Sequence, residues 1–185
     1  MADAKQGLLE QADLNRTLGR MAHEIIEKSA NPEELVLIGI RSRGVHLARR
    51  LARKVDEICK FSPPVAVIDV TGYRDDRAHE QGLPPVGAFE IQATVDDKTV
   101  VLIDDVIFRG RTIRAAMEAV ERLGQPKRIL VAVLIDRGSR ELPIRADIVG
   151  KTVAAGDGQR VNVLLEESDG IDQVTLADWQ GKSAV

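Results

Sequence analysis

The sequence predicts an α/β protein whose sheet is mainly parallel, and three observations predict it. Short buried-type runs alternate with stretches whose apolar residues recur at helical spacing, the pattern of strand–helix–strand units. Gly, Pro and Asn punctuate the boundaries between them. At 185 residues and 44% hydrophobic content, the chain can bury one real core, so composition predicts a single globular domain over residues 1–185.

Taken in order, Leu14, Leu18, Met21, Ile25 and Ile26 form one helical stripe between Asp13 and Ser29, and Asn31-Pro32 ends it. Leu35 to Ile40 reads as a buried strand. Arg41-Ser42-Arg43-Gly44 turns it into a second helix with Leu47, Leu51, Val55 and Ile58 on one side. Arg49, Arg50, Arg53 and Lys54 on the rest of that helix read as a solvated face, because no aromatic residue is interleaved. Val65 to Val70 is a second strand. Thr71 to about Asp97 then runs through several glycines and prolines with one short strand-like piece, Ala88 to Thr94; such a stretch predicts a lid or binding loop. Val100 to Ile103 is a third strand, Arg111 to Leu123 a helix ended by Gly124 and Pro126, and Arg128 to Ile135 a fourth strand. After Asp136 the pattern becomes irregular, with Ile148-Val149, Val161 to Leu165 and Val174 to Leu176 as strand candidates. There is no internal repeat, low-complexity tract or convincing linker.

Composition narrows the function classes. Cys59 is the one cysteine, which fits a reducing compartment and reads as a small buried filler rather than a nucleophile. No basic-then-apolar leader opens the chain and no run approaches the ~18 apolar residues of a membrane span, so a soluble, cytoplasmic protein without membrane contact is expected. A net charge of -3 argues against a nonspecific nucleic-acid binder and leaves room for a local basic face. Arginine outnumbers lysine eighteen to eight, which favours planar recognition of phosphate or carboxylate.

The segment that carries chemistry is TVVLIDDVIFRGRTIRAAMEAV, residues 99–120. In an open α/β sheet, ligands collect at the carboxyl ends of the strands, where Asp104 and Asp105 stand. Arg109-Gly110-Arg111-Thr112 forms the entry to a helix, where unpaired N–H groups and the dipole attract an anion, Gly110 lets the main chain come close and Thr112 can donate. Two carboxylates beside a phosphate must face something else, such as sugar hydroxyls or Mg²⁺, and a ribose 5-phosphate satisfies both halves. The same residues also read as a structural junction in which the acids cap the helix and the arginines pair with them. Spacing leaves both readings open.

VVLIDDVIFRGRT closely resembles the phosphoribosyl pyrophosphate (PRPP) signature of type I phosphoribosyltransferases. With AHEIIE, LIGIRSRGVHLARRLA, YRDD and AVLIDRGSRELPIRADIVGK, in that family's order, most of the chain resembles the pyrimidine operon attenuation regulators, whose members also act as uracil phosphoribosyltransferases. The resemblance implies the type I phosphoribosyltransferase fold, a mainly parallel sheet flanked by helices with a flexible loop over the active site. It implies two activities: UMP- or UTP-dependent binding of a pyrimidine-operon mRNA hairpin, and conversion of uracil and PRPP to UMP and pyrophosphate with Mg²⁺. A homo-oligomer is implied as well.

Residue by residue, the resemblance implies that Asp104 and Asp105 hold the ribose hydroxyls, directly or through Mg²⁺, while Gly110, Arg111 and Thr112 surround the 5-phosphate, with Arg109 beside them. Arg41, Ser42, Arg43 and Gly44 resemble the pyrophosphate loop. Arg74, in a segment similar to the family's catalytic loop, would reach the departing pyrophosphate, whereas Asp75 and Asp76 read as ordering that loop. Ile135 would pack on uracil, with Asp136 and Arg137 in the turn that reads its edge. Arg20, His23, Arg140, Arg145 and Lys151 match positions that serve the RNA-binding face.

Several positions depart from the family pattern. Arg109 stands where threonine is usual, and so bulky a side chain must reach over the anion or swing to solvent; Gly72 stands where leucine is usual. Gly19 and Ala155 replace hydroxyl residues and Ser139 a histidine, losses that weaken sequence readout more than general phosphate attraction. The alternatives these positions raise are a catalytically weak RNA-binding regulator and a phosphoribosyltransferase without an RNA role.

Overall fold

The computed structural model describes residues 6–70, 93–156 and 158–178. Strand β1 (Gln6–Glu10) leads into helix α1 (Gln11–Ser29), followed by strand β2 (Leu35–Ile40), helix α2 (Arg43–Cys59) and strand β3 (Val65–Ile68). Strand β4 (Thr99–Ile107), helix α3 (Arg111–Leu123), strand β5 (Arg128–Asp136) and strand β6 (Ile148–Thr152) come next. Strand β7 (Gln159–Leu164), the short helix α4 (Glu166–Asp169) and strand β8 (Gln173–Asp178) complete the described elements.

Five strands form one parallel sheet in the order β3-β2-β4-β5-β6. All six residues of β2 are buried, as expected of a strand covered on both faces. The strand alternation sorts the core accordingly: Leu35, Leu37, Val101 and Ile103 pack with Leu14, Leu18, Ile25, Leu47 and Leu51 of α1 and α2. Val36, Ile38, Val100 and Leu102 pack with Ile113, Ala116, Ala119 and Val120 of α3. Between α1 and β2, a 3-10 turn at Pro32–Glu34 is capped by Asn31, whose Oδ1 accepts from Glu33 N at 3.1 Å.

A second, antiparallel sheet of three strands has the order β1-β8-β7. Its apolar residues Leu9, Val161, Val163, Val174 and Leu176 join the core on the α1–α2 side. Neither β1 nor this separate sheet is legible in the sequence, because β1 is short and pairs with a strand at the other end of the described chain.

Four expectations need correction. Arg50 is not part of a solvated face: its guanidinium bonds both Glu167 (2.6 and 2.9 Å) and Asp172 (2.7 and 2.8 Å), clasping α2 to the segment around α4. Ile58 is 40% exposed, because the four-residue step from Val55 falls on Cys59 instead. Cys59 is itself only half-buried. Strand β4 runs beyond Ile103 to Ile107, since β5 continues to pair with it as far as Ile107 opposite Asp136. Residues 71–92 of the segment read as a lid, including Gly72, Tyr73, Arg74, Asp75, Asp76 and most of Ala88 to Thr94, lie outside the described residues.

Candidate active site

The carboxyl ends of β2, β4 and β5 converge on one edge of the parallel sheet. The last pairing of β2 with β4 is Gly39 opposite Ile103, so Asp104 and Asp105 begin where β2 gives out. Their carboxylates take main-chain donors there: Asp104 Oδ1 accepts from Asp105 N, and Asp105 Oδ1 from Val106 N, both at 2.9 Å. Asp104 is 8% exposed and Asp105 half-buried, which leaves the second acid an opening toward solvent.

The Arg41–Gly44 turn crosses directly over this point. A Cβ at Gly44 would collide with the Ile103 carbonyl oxygen and lie 3.3 Å from Asp104 Cα, so only glycine lets the turn sit this close to the acids. The Arg41–Ser42 peptide is cis. Arg41 N donates to Ile68 O at 2.9 Å and its guanidinium lies 3.7 Å from Asp69, fixing the turn to the end of β3. Arg43 Nη2 reaches Asp169 at 3.0 Å, while its buried Nε has no hydrogen-bond partner among the described residues.

On the other side of β4, Gly110 precedes α3 with φ +95°, a left-handed conformation that glycine adopts without strain. No side chain caps this helix and no acid occupies its first turn. Its leading N–H groups thus have no side-chain cap among the described residues, the kind of terminus that attracts anions, with Thr112 half-buried among them. Arg109 is half-buried and turns toward Glu141. Its Nε lies 3.2 Å from Glu141 Oε1, and its guanidinium carbon sits 5.1 Å from the Phe108 ring centroid. Arg111 bonds the other oxygen of Glu141 through Nε at 3.0 Å and Nη2 at 2.7 Å.

The turn after β5 is built from its own arginines. Asp136 accepts from Gly138 N at 2.9 Å and from Arg140 Nη2 at 2.7 Å. Arg140 also donates to the carbonyls of Phe108, Gly138 and Ile144, which binds this turn to the α3 entry. Arg137 lays its guanidinium 3.8 Å from the Phe108 centroid. Ile135 is fully buried, held in β5 between Val106 and Lys151, and presents no surface to a base in this conformation. That is a correction to its expected stacking role, and its physical reason is that its side chain is taken up by the core on the α1–α2 side.

Arg41–Gly44, Asp104, Asp105, Gly110–Thr112 and Asp136–Arg137 thus share one sheet edge. Of the positions matched to RNA binding, Arg140 belongs to this turn, and two others are engaged by the fold. Arg20 donates to the carbonyls of Val149 and Gly150 at 2.9 and 2.6 Å, and Lys151 to that of Leu8 at 2.8 Å. Both therefore secure the junction of α1, β1 and β6. His23 and Arg145 are exposed. Sequence reasoning missed Glu141 and Phe108, whose partners lie in separate turns. It also missed the acids of residues 166–172 that hold Arg43 and Arg50.

The described residues contain no helix long and apolar enough to cross a membrane. Residues 7–163 match the family model described as the phosphoribosyl transferase domain. The chain is 48% identical over 178 residues to the bifunctional protein PyrR of Pelotomaculum thermopropionicum, covering 96% of this chain and 98% of that one. It is also 48% identical over 176 residues to PyrR of Chloroflexus aurantiacus, covering 95% and 96%. Among solved structures it resembles a hypoxanthine-guanine phosphoribosyltransferase of Bacillus anthracis, with TM-score 0.72 at 16% identity over 92% of this chain and 96% of that one. It is similar too to the hypoxanthine phosphoribosyltransferase of Trypanosoma cruzi, with TM-score 0.71 at 14% identity over 95% and 97%; at such identities the likeness establishes the fold alone. The chain belongs to the phosphoribosyltransferases and, within them, to the family of bifunctional PyrR proteins.

Proposed function

We propose that residues 1–185 act as one cytoplasmic phosphoribosyltransferase unit, in a homo-oligomer, that joins uracil to PRPP, giving UMP and pyrophosphate. The same unit, with UMP or UTP in this pocket, binds a pyrimidine-operon mRNA hairpin and attenuates transcription. The observation that supports the enzymatic reading is the approach of Gly44 to Asp104, which brings the cationic Arg41–Gly44 turn against the strand that carries both acids and leads into α3.

In this reading the terminus at Gly110–Thr112 takes the 5-phosphate and Asp104 and Asp105 take the ribose hydroxyls. Arg41 and Arg43 neutralise the pyrophosphate as its bond to the anomeric carbon breaks and positive charge develops on the sugar. Arg74 adds to that neutralisation. The turn of Asp136 and Arg137 reads the uracil edge. Hard carboxylate oxygens at Asp104 and Asp105 suit Mg²⁺, which keeps water and substrate oxygens in most of its positions; no cluster of three or more His, Cys, Asp or Glu ligands occurs among the described residues. When bound with the diphosphate, Mg²⁺ supplies further charge neutralisation. Arg20, His23, Arg140, Arg145 and Lys151 contribute to the RNA face.

UMP formation from uracil, PRPP and Mg²⁺ tests the enzymatic half, and Asp105→Asn should lower kcat/KM by about a hundredfold if the acid holds the sugar in the transition state. Background turnover in the wild-type protein removes that half. Hairpin-RNA binding with and without UMP, across salt concentrations, tests the regulatory half.

A further inference from the structure

We infer that Glu141 acts as an internal stand-in for phosphate: it engages Arg109 and Arg111 at the loop and sets the affinity for phosphate-bearing ligands by competing with them. This rests on the reading of Gly110–Thr112 as the 5-phosphate loop. Glu141 uses both oxygens, Oε1 toward Arg109 Nε at 3.2 Å and Oε2 toward Arg111 Nε and Nη2 at 3.0 and 2.7 Å. Two anionic oxygens spread over two guanidinium groups is an arrangement that a phosphate also adopts.

Three features make the exchange feasible. The side chains of Glu141, Arg109 and Arg111 are 41%, 32% and 48% exposed, so each ion pair is screened and weak. The main chain of Glu141 is fixed independently of its carboxylate, because Glu141 N and Leu142 N both donate to Arg109 O, at 3.1 and 3.2 Å. Phe108 also holds Arg109, so a guanidinium released by Glu141 stays at the loop. With the carboxylate present, an entering phosphate must displace it from both arginines. Without it, that competitor is gone.

Calorimetric titration of UMP and uridine into the wild type, Glu141→Gln, Arg109→Gln and the double variant tests this. Glu141→Gln should tighten UMP about threefold to tenfold, the effect of removing two weak competing pairs, and leave uridine unchanged. In the Arg109→Gln background the gain should shrink, since one of the two released cations is gone. UMP binding that is unchanged or weakened in a Glu141→Gln protein melting at the wild-type temperature, or a gain shared equally by uridine, overturns the inference. A wild-type protein that binds UMP no better than uridine strikes the phosphate-loop reading itself, and this inference with it.

Discussion

Two arginine–carboxylate clusters in this chain have inverse composition. Beside α3, one carboxylate serves two arginines, all three partly exposed. At the seam between α2 and residues 166–172, one arginine serves two carboxylates, and there Arg50 is 14% and Asp172 8% exposed. The spare negative charge of the second cluster is absorbed by the fold, since Asp172 Oδ1 also accepts from Glu166 N at 2.9 Å. The first lies at the entry to α3, beside the proposed phosphate site. Burial and backbone donors make one cluster a fastener of the structure, whereas exposure keeps the other weak, as the inferred exchange with a phosphate requires.

The largest expected effect breaks the fastener. Arg50→Met leaves Glu167 and Asp172 without their cation and should cost about 2–4 kcal/mol in urea unfolding, as removing one partner of a shielded ion pair does. A loss below about 1 kcal/mol would show that the two clusters do not differ in kind.

Acid should unfasten the same cluster. Hydrogen bonds from Arg50 hold the Glu167 and Asp172 carboxyls below their ordinary values of 4.5 and 3.8, and the Leu165 N–H does so, with Arg43, for Asp169. Because the folded values are depressed, the stabilisation is complete above about pH 5 and is lost as pH falls through them. Stability measured from pH 6 downward should fall less steeply in Arg50→Met than in the wild type. Identical slopes would remove Arg50 as the cause.

Smaller effects lie at the exchangeable cluster. Thr112→Val should weaken UMP by about tenfold to a hundredfold, one hydrogen bond to a charged group, without affecting uridine. Smallest of all, Glu141→Gln should change unfolding stability by less than about 0.5 kcal/mol, in contrast to Arg50→Met. A larger loss would make Glu141 a fastener as well.

The parallel sheet was readable because its strands are continuous apolar runs and its helices carry one apolar stripe each; Leu35–Ile40 and Arg111–Leu123 have the bounds that periodicity assigns. The second sheet was not, since β1 and β8 meet across most of the chain, a pairing that no local pattern carries. At the site, Asp104, Asp105 and Gly110 announce themselves by motif and position, whereas Arg109 was ambiguous. Its direction depends on Glu141, an isolated acid whose distance along the chain carries no pairing signal.

By itself, then, the sequence determined the order of strands and helices that build the parallel sheet, the family, and the residues that gather at one sheet edge, because periodicity and motif are local properties that survive without coordinates. Only the tertiary structure decided which arginines serve the fold and which stand at the loop. Charge pairing is a matter of through-space distance and burial, and a guanidinium reads the same in the sequence whether its carboxylate lies on the next turn or, as for Arg50, on an element at the far end of the chain.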